Sequence, residues 1–156
     1  MNYKVFLASD HSGVQYKSDL IAHWKQHFPN DEIVDIGPHQ EMQSTDYSDW
    51  ALTLCRDFIT ARASGNSYTL GVLICGSGIG MSMVANRFSG IRAALCRSEE
   101  DARLSREHND ANVLCLGARF TTIELAKQMV QTWRLTVFAE GRHRVRIDKF
   151  SSMGEH

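Results

Sequence analysis

Hydrophobic positions along the chain follow two periodicities in turn. Short apolar runs at 4–8, 33–36, 70–75, 91–95 and 112–116 each precede a stretch with helical spacing. Runs such as VLIC at 72–75 and VLCL at 113–116 show no polar alternation, the pattern of parallel strands covered by helices on both faces. Between the runs, Leu20, Ile21, Trp24 and Phe28 share one stripe, as do Trp50, Leu54 and Phe58, and later Ile123, Ala126, Val130 and Trp133. Spacing of three to four residues marks the buried face of an amphipathic helix. Ser98 followed by Glu99, Glu100 and Asp101 has the layout of an N-cap with an acidic first turn, and Thr121 or Thr122 can cap the next helix. The pattern predicts an α/β fold built on a five-stranded parallel sheet.

Pro29 and Pro38 are the only prolines, and no linker or low-complexity tract divides the 156 residues, so one domain over 1–156 is expected. Its last segment, 141–156, differs in character: Arg142, His143, Arg144, Arg146 and Lys149 crowd together, which predicts a tail helix with a basic face. Elsewhere 17 Lys and Arg balance 18 Asp and Glu, so no field of one sign points to nucleic acid or an anionic membrane as partner. The apolar stretch of MNYKVFLASDH is too short for a signal peptide, and no run approaches the roughly 18 apolar residues of a membrane span. Four cysteines, Cys55, Cys75, Cys96 and Cys115, lie far apart with no C-x-x-C, which suits reduced thiols in a soluble, cytoplasmic protein.

Chemistry concentrates in three places. LICGSGIGMS at 73–82 is a strand running through glycines into a helix, and ligands of open α/β sheets bind at such strand ends, where helix amides favour an anion. Cys75 stands there, and the helix's positive end would favour its thiolate. The segment is not a dinucleotide fingerprint, since Met81 follows Gly80 where that motif needs glycine, nor a P-loop, since no Gly-Lys-Ser/Thr follows. A cysteine phosphatase loop would need arginine at the position of Met81. The plain alternative is that Cys75 is an inert core thiol. ASDHSG at 8–13 also follows a strand; Asp10 and His11 would face the same crevice, or Asp10 or Ser12 would simply cap a helix. SREHND at 105–110 ends a helix, where His108 could trade a proton and Asn109 hold an oxyanion, or His108 could merely cap the helix. Arg119, Arg142 and Arg146 suit a terminal phosphate or a solvated basic face. His23 and His27 are spaced i, i+4 without a third ligand and read as solvent-facing.

Five segments in order, ASDHSG, STDYSDWA, GVLICGSGIGMSMVANRFSGIRAALC, LSREHNDANVLCLGAR and EGRHRVR, resemble the B-type ribose-5-phosphate isomerase family, which also contains galactose-6-phosphate isomerase subunits. The resemblance implies a doubly wound Rossmann-like sheet of order 2-1-3-4-5 and a homodimer, or a dimer of dimers, with shared active sites. It implies neither metal nor cofactor. Cys75 becomes the base that moves a proton between C1 and C2 of an open-chain sugar phosphate through a cis-enediolate, with the Ser77 hydroxyl beside it. His108 opens the furanose ring. Asp10 and His11 bind near the ring oxygen and hydroxyls, and Tyr47 lines the pocket. The amides of Gly76, Ser77, Gly78, Ile79 and Gly80, with Asn109, hold the enediolate oxygens. Arg142 and Arg146 bind phosphate, while His108, Asn109 and Arg119 reach in from the partner. Family members that use glutamate as base carry it where this chain has Met81.

The sequence departs from the common pattern at Ser77, where many members have Thr, and at Ser48, where Pro often follows Asp-Tyr. Substrate choice is therefore more open than reaction type. A six-carbon sugar phosphate such as allose or galactose 6-phosphate is the neighbouring alternative, and a non-catalytic sugar-phosphate sensor the alternative of another class. A flavodoxin-like module lacks an FMN-loop signature here, and a receiver domain lacks its acidic cluster, because the third strand ends in Cys75.

Overall fold

The computed structural model describes residues 2–40, 44–151 and 153, so the end of the predicted basic tail lies outside the described residues. In chain order, β1 (Lys4–Ser9) leads through a 3-10 turn (His11–Gly13) into α1 (Val14–His27) and β2 (Glu32–Ile36). Then come α2 (Tyr47–Ala63), β3 (Thr69–Cys75), α3 (Ile79–Ala85), β4 (Ala93–Leu95), α4 (Glu99–Asn109), β5 (Val113–Gly117), α5 (Ile123–Leu135) and α6 (Arg142–Asp148). Ser98 caps α4 by accepting from the Asp101 N–H, and Thr122 caps α5 by accepting from the Leu125 N–H.

All pairings are parallel, in the order β2-β1-β3-β5-β4. The five-stranded parallel sheet thus forms as the pattern predicts, and it is doubly wound as the resemblance implies; numbered in chain order, its strands run 2-1-3-5-4 where 2-1-3-4-5 is expected. The reason is burial. β5 is buried at all five positions and fits between two neighbours, whereas the three residues of β4 are half-buried and suit an edge.

Strand alternation sorts the core into two layers. Val5, Leu7, Val72, Ile74, Leu114 and Leu116 face α1, α4 and α5, where Leu20, Trp24, Ala102, Val130 and Trp133 cover them. Phe6, Ala8, Leu73, Cys75, Val113 and Cys115 face α2 and α3, against Leu54, Phe58, Met81 and Ala85. The winding reverses between β1 and β3, since α1 carries the chain one way and α3 the other. The carboxyl ends of those two strands therefore border a crevice. No helix among the described residues is long and apolar enough to cross a membrane.

Candidate active site

The register of β1 on β3 pairs Ser9 with Ile74, and the Asp10 N–H donates to the Ile74 carbonyl at 3.2 Å. This brings Asp10 and His11 beside Cys75. Asp10 is buried and accepts from both the N–H and the hydroxyl of Ser12, at 2.9 and 2.6 Å, through Oδ1 alone. Among the described residues Oδ2 has no protein partner. His11 is gripped by Thr45, just before α2. Its Nδ1 lies 3.1 Å from the Thr45 N–H and 3.3 Å from the Thr45 carbonyl, so it has a partner in either protonation state. Thr45 Oγ1 in turn accepts from the His11 N–H and from Trp50 Nε1. Thr45 is a neighbour of His11 that sequence reasoning missed; the only local signal was a threonine just ahead of a helix start.

Cys75 ends β3 with its side chain on the α2 and α3 layer. The residue is 4% exposed, and the Gly78 N–H donates to Sγ at 3.1 Å. Gly78 takes φ of 75°, and a Cβ there would sit 2.6 Å from Leu95 Cδ1, so the loop that turns its amide onto the sulfur requires glycine. The other cysteines lie at 1% exposure or less. Burial pushes the Cys55 and Cys96 thiols up to about 12 and raises Cys115 well above the usual thiol range. Cys75 is the one of the four that stands at the carboxyl end of β3, beside the crevice.

Tyr47, the first residue of α2, lies across the loop: a Cβ on Gly80 would meet its ring carbons at 2.5 Å. The Ile79 N–H donates to Ser77 Oγ at 3.3 Å. Two of the five amides expected to hold enediolate oxygens, those of Gly78 and Ile79, thus have partners inside the loop. Arg119 lies within this chain's own site. Its N–H donates to the Gly76 carbonyl at 3.0 Å and its guanidinium packs on Gly76, so it sits in its own chain's crevice rather than reaching from a partner. Ser48, where Pro is common, gives its N–H and hydroxyl to the Asp46 carboxylate. Those two hydrogen bonds hold the Asp46 pKa below the usual range.

His108 and Asn109 are elsewhere. They end α4 just before β5 begins, whereas Gly117 at the other end of β5 pairs with Cys75. At about 3.3 Å per residue, the strand alone separates the two ends by roughly 13 Å. His108 and Asn109 line a depression of about 280 Å³ with Leu95, Cys96 and Ser105. α6 packs on the same end of α4, tied by the Ala139 N–H to the Glu107 carbonyl at 2.9 Å. It is the predicted basic helix, with His143 and Ile147 buried and Arg142 and Arg146 one turn apart on its exposed side. Arg142 and Arg146 thus group with His108 and Asn109, not with the Cys75 crevice of the same chain. His23 is half-buried rather than solvent-facing, its ring 4.0 Å from that of His27; no metal-competent cluster occurs among the described residues.

A doubly wound α/β protein with a cysteine, an Asp-His pair and a glycine-rich loop at its switch-point crevice belongs to the class of Rossmann-like proteins, whose ligands bind at that crevice. The comparisons narrow the class. A family model described as Ribose/Galactose Isomerase matches residues 5–150, and the chain belongs to that family. Ribose-5-phosphate isomerase B of Escherichia coli is 35% identical over 150 residues, covering 96% of this chain and 95% of that protein. Among solved structures, ribose 5-phosphate isomerase B from Anaplasma phagocytophilum is 43% identical with a TM-score of 0.85, covering 95% of this chain and 96% of that one. The Mycoplasma genitalium enzyme with bound ribulose-5-phosphate is 38% identical with a TM-score of 0.87, covering 97% and 95%.

Proposed function

We propose that this chain, as one unit over 1–156, is an aldose–ketose isomerase that interconverts D-ribose 5-phosphate and D-ribulose 5-phosphate. The observation that carries the reading is Cys75 at the β1/β3 crevice, its sulfur held by the Gly78 N–H. A hydrogen on carbon next to a carbonyl is weakly acidic, so its removal needs a positioned base and donors for the oxygen that gains charge. Cys75 takes the proton from C2 of the open-chain aldose and returns it to C1. Ser77, the amides of the 76–80 loop, Asp10 and His11 are disposed to bind the sugar oxygens, with Tyr47 as one wall.

The acid and phosphate ligands stand at the far end of the same chain, so the site is completed by a second copy. A homodimer places the partner's His108 and the partner's Asn109 at the crevice, and brings the partner's Arg142 and Arg146 to the phosphate. Arg119 comes from the same chain as Cys75. The free state of all four cysteines supports a reducing, cytoplasmic setting.

The test is conversion of ribose 5-phosphate by wild type and Cys75→Ala with EDTA present, allose 6-phosphate being run in parallel. Wild-type turnover should survive EDTA and fall at least about a thousandfold in the variant, because the base is gone. Retained turnover in Cys75→Ala refutes the base, and preference for allose 6-phosphate reassigns the substrate.

A further inference from the structure

The imidazole of His143 lies flat against that of His108, with ring centroids 4.3 Å apart and planes 4° from parallel. The stack joins two elements: His108 is the last residue but one of α4, and His143 the second of α6. The backbone bond from Ala139 to Glu107 and that from the His143 N–H to the Glu140 carbonyl hold them in register. His143 is buried, whereas the His108 side chain is 38% exposed. The buried ring is therefore the support, and the ring on the outside is the one a ligand reaches.

The charges around the pair are unequal. From α6, Arg142 points Nε at His143 Nε2, at 3.5 Å, and Arg146 lies one turn on. From α4 come Glu107, paired with Arg103 and 3.9 Å from His108 Nε2, together with Glu100 and Asp101. Burial first, then the charges of His108, Arg142 and Arg146, hold the His143 pKa below the ordinary histidine range against a smaller opposite pull from Glu107. An uncharged aromatic face attracts a cation laid on it, while a second imidazolium would repel one.

We propose that His143 is a positioning residue for ring opening: its ring fixes the plane of His108 and gives that acid a flat aromatic face to rest on. The inference rests on the reading in which His108 opens the furanose. In that step the proton of His108 passes to the ring oxygen as the C1–O4 bond breaks, and the C1 hydroxyl gives its proton to water as the aldehyde forms. A misplaced acid slows this step and leaves proton transfer at Cys75 untouched.

The two steps separate experimentally, because ribulose 5-phosphate carries phosphate on the oxygen that would close its ring. Exchange of its C1 hydrogen with deuterated water, followed by NMR, needs the base but no ring opening. Wild type, His143→Phe, His143→Gln and His108→Asn are compared in that exchange and in turnover of ribose 5-phosphate. His143→Gln, which loses the flat face, should lower kcat on ribose 5-phosphate at least about tenfold, with exchange within about twofold of wild type. His143→Phe, which keeps the face, should stay within about threefold in both. Equal losses in turnover and exchange, or a His143→Phe as slow as His143→Gln, overturn the proposal. If His108→Asn slows ribose 5-phosphate while His143→Gln does not, the positioning role alone fails. If His108→Asn spares it, the ring-opening assignment fails and the inference falls with it.

Discussion

Gly80 shows how one missing methyl can shape a pocket. A Cβ there would overlap the Tyr47 ring at 2.5 Å, yet the position is the second residue of α3, where alanine has about 1 kcal/mol better helix propensity than glycine. The two effects oppose each other, so stability and activity should separate. Gly80→Ala is expected to keep its thermal midpoint within a few degrees while displacing Tyr47 and lowering kcat/KM on ribose 5-phosphate about tenfold. In a double-mutant cycle the added alanine should cost little once Tyr47→Ala is present; full additivity would show that the ring is not what Gly80 makes room for. The same scale separates the cysteines. All four are buried and free, and what distinguishes Cys75 is its place at the end of β3 before the glycine-rich loop, where the Gly78 N–H donates to its sulfur. Sequence spacing already marked that position, because a strand, glycines and a helix follow one another around it. Thr45 was not legible, since its partner His11 lies 34 residues away and only the packing of α2 brings them together.

Secondary elements are fastened to one another by buried polar hubs as well as by the core. Asp31, ahead of β2, accepts from the Tyr3 N–H at 2.8 Å, Trp24 Nε1 at 2.9 Å and Arg134 at 2.8 and 3.0 Å. It thereby ties the start of β1 to α1 and the end of α5. Burial alone would raise the pKa of this carboxyl, but the hydrogen bonds from Arg134, Tyr3 and Trp24 outweigh it and hold the value below the usual range. The folded carboxylate thus binds its proton less tightly than the unfolded one. The stability it contributes is complete above the ordinary Asp range near pH 4 and is lost as the pH falls through the lower folded value. Asp31→Asn should lower stability by about 2 kcal/mol at pH 7 and flatten the acid side of the thermal-midpoint profile. Urea unfolding at pH 7 and pH 3 checks both, and an unchanged acid slope would rule the hub out. The elements themselves were legible because local burial dictates their period. The order of the last two strands was not, since it depends on whether β4 or β5 is buried on both sides.

At the scale of the whole molecule, the far placement of His108 from Cys75 has a consequence that mixing can read. In the proposed homodimer with shared sites, coexpression of Cys75→Ala and His108→Asn chains gives mixed dimers with one site that carries both changes and one that carries neither. Random pairing then returns about a quarter of wild-type activity from two inactive parents. No recovery, with mixed dimers present by mass, would place the whole site in one chain. The sequence by itself determined the parallel α/β fold, the helix caps, the crevice at the β1 and β3 ends and the cysteine that stands there. Each of these follows from a local period or from residues within one turn of each other. Only the tertiary structure decided that β4 takes the edge, that Arg119 folds onto its own Gly76, that Arg142 and Arg146 gather with His108 and Asn109, and that His143 stacks on His108. Those outcomes are contacts between segments far apart in the chain, and packing selects among many pairings that local pattern leaves equal.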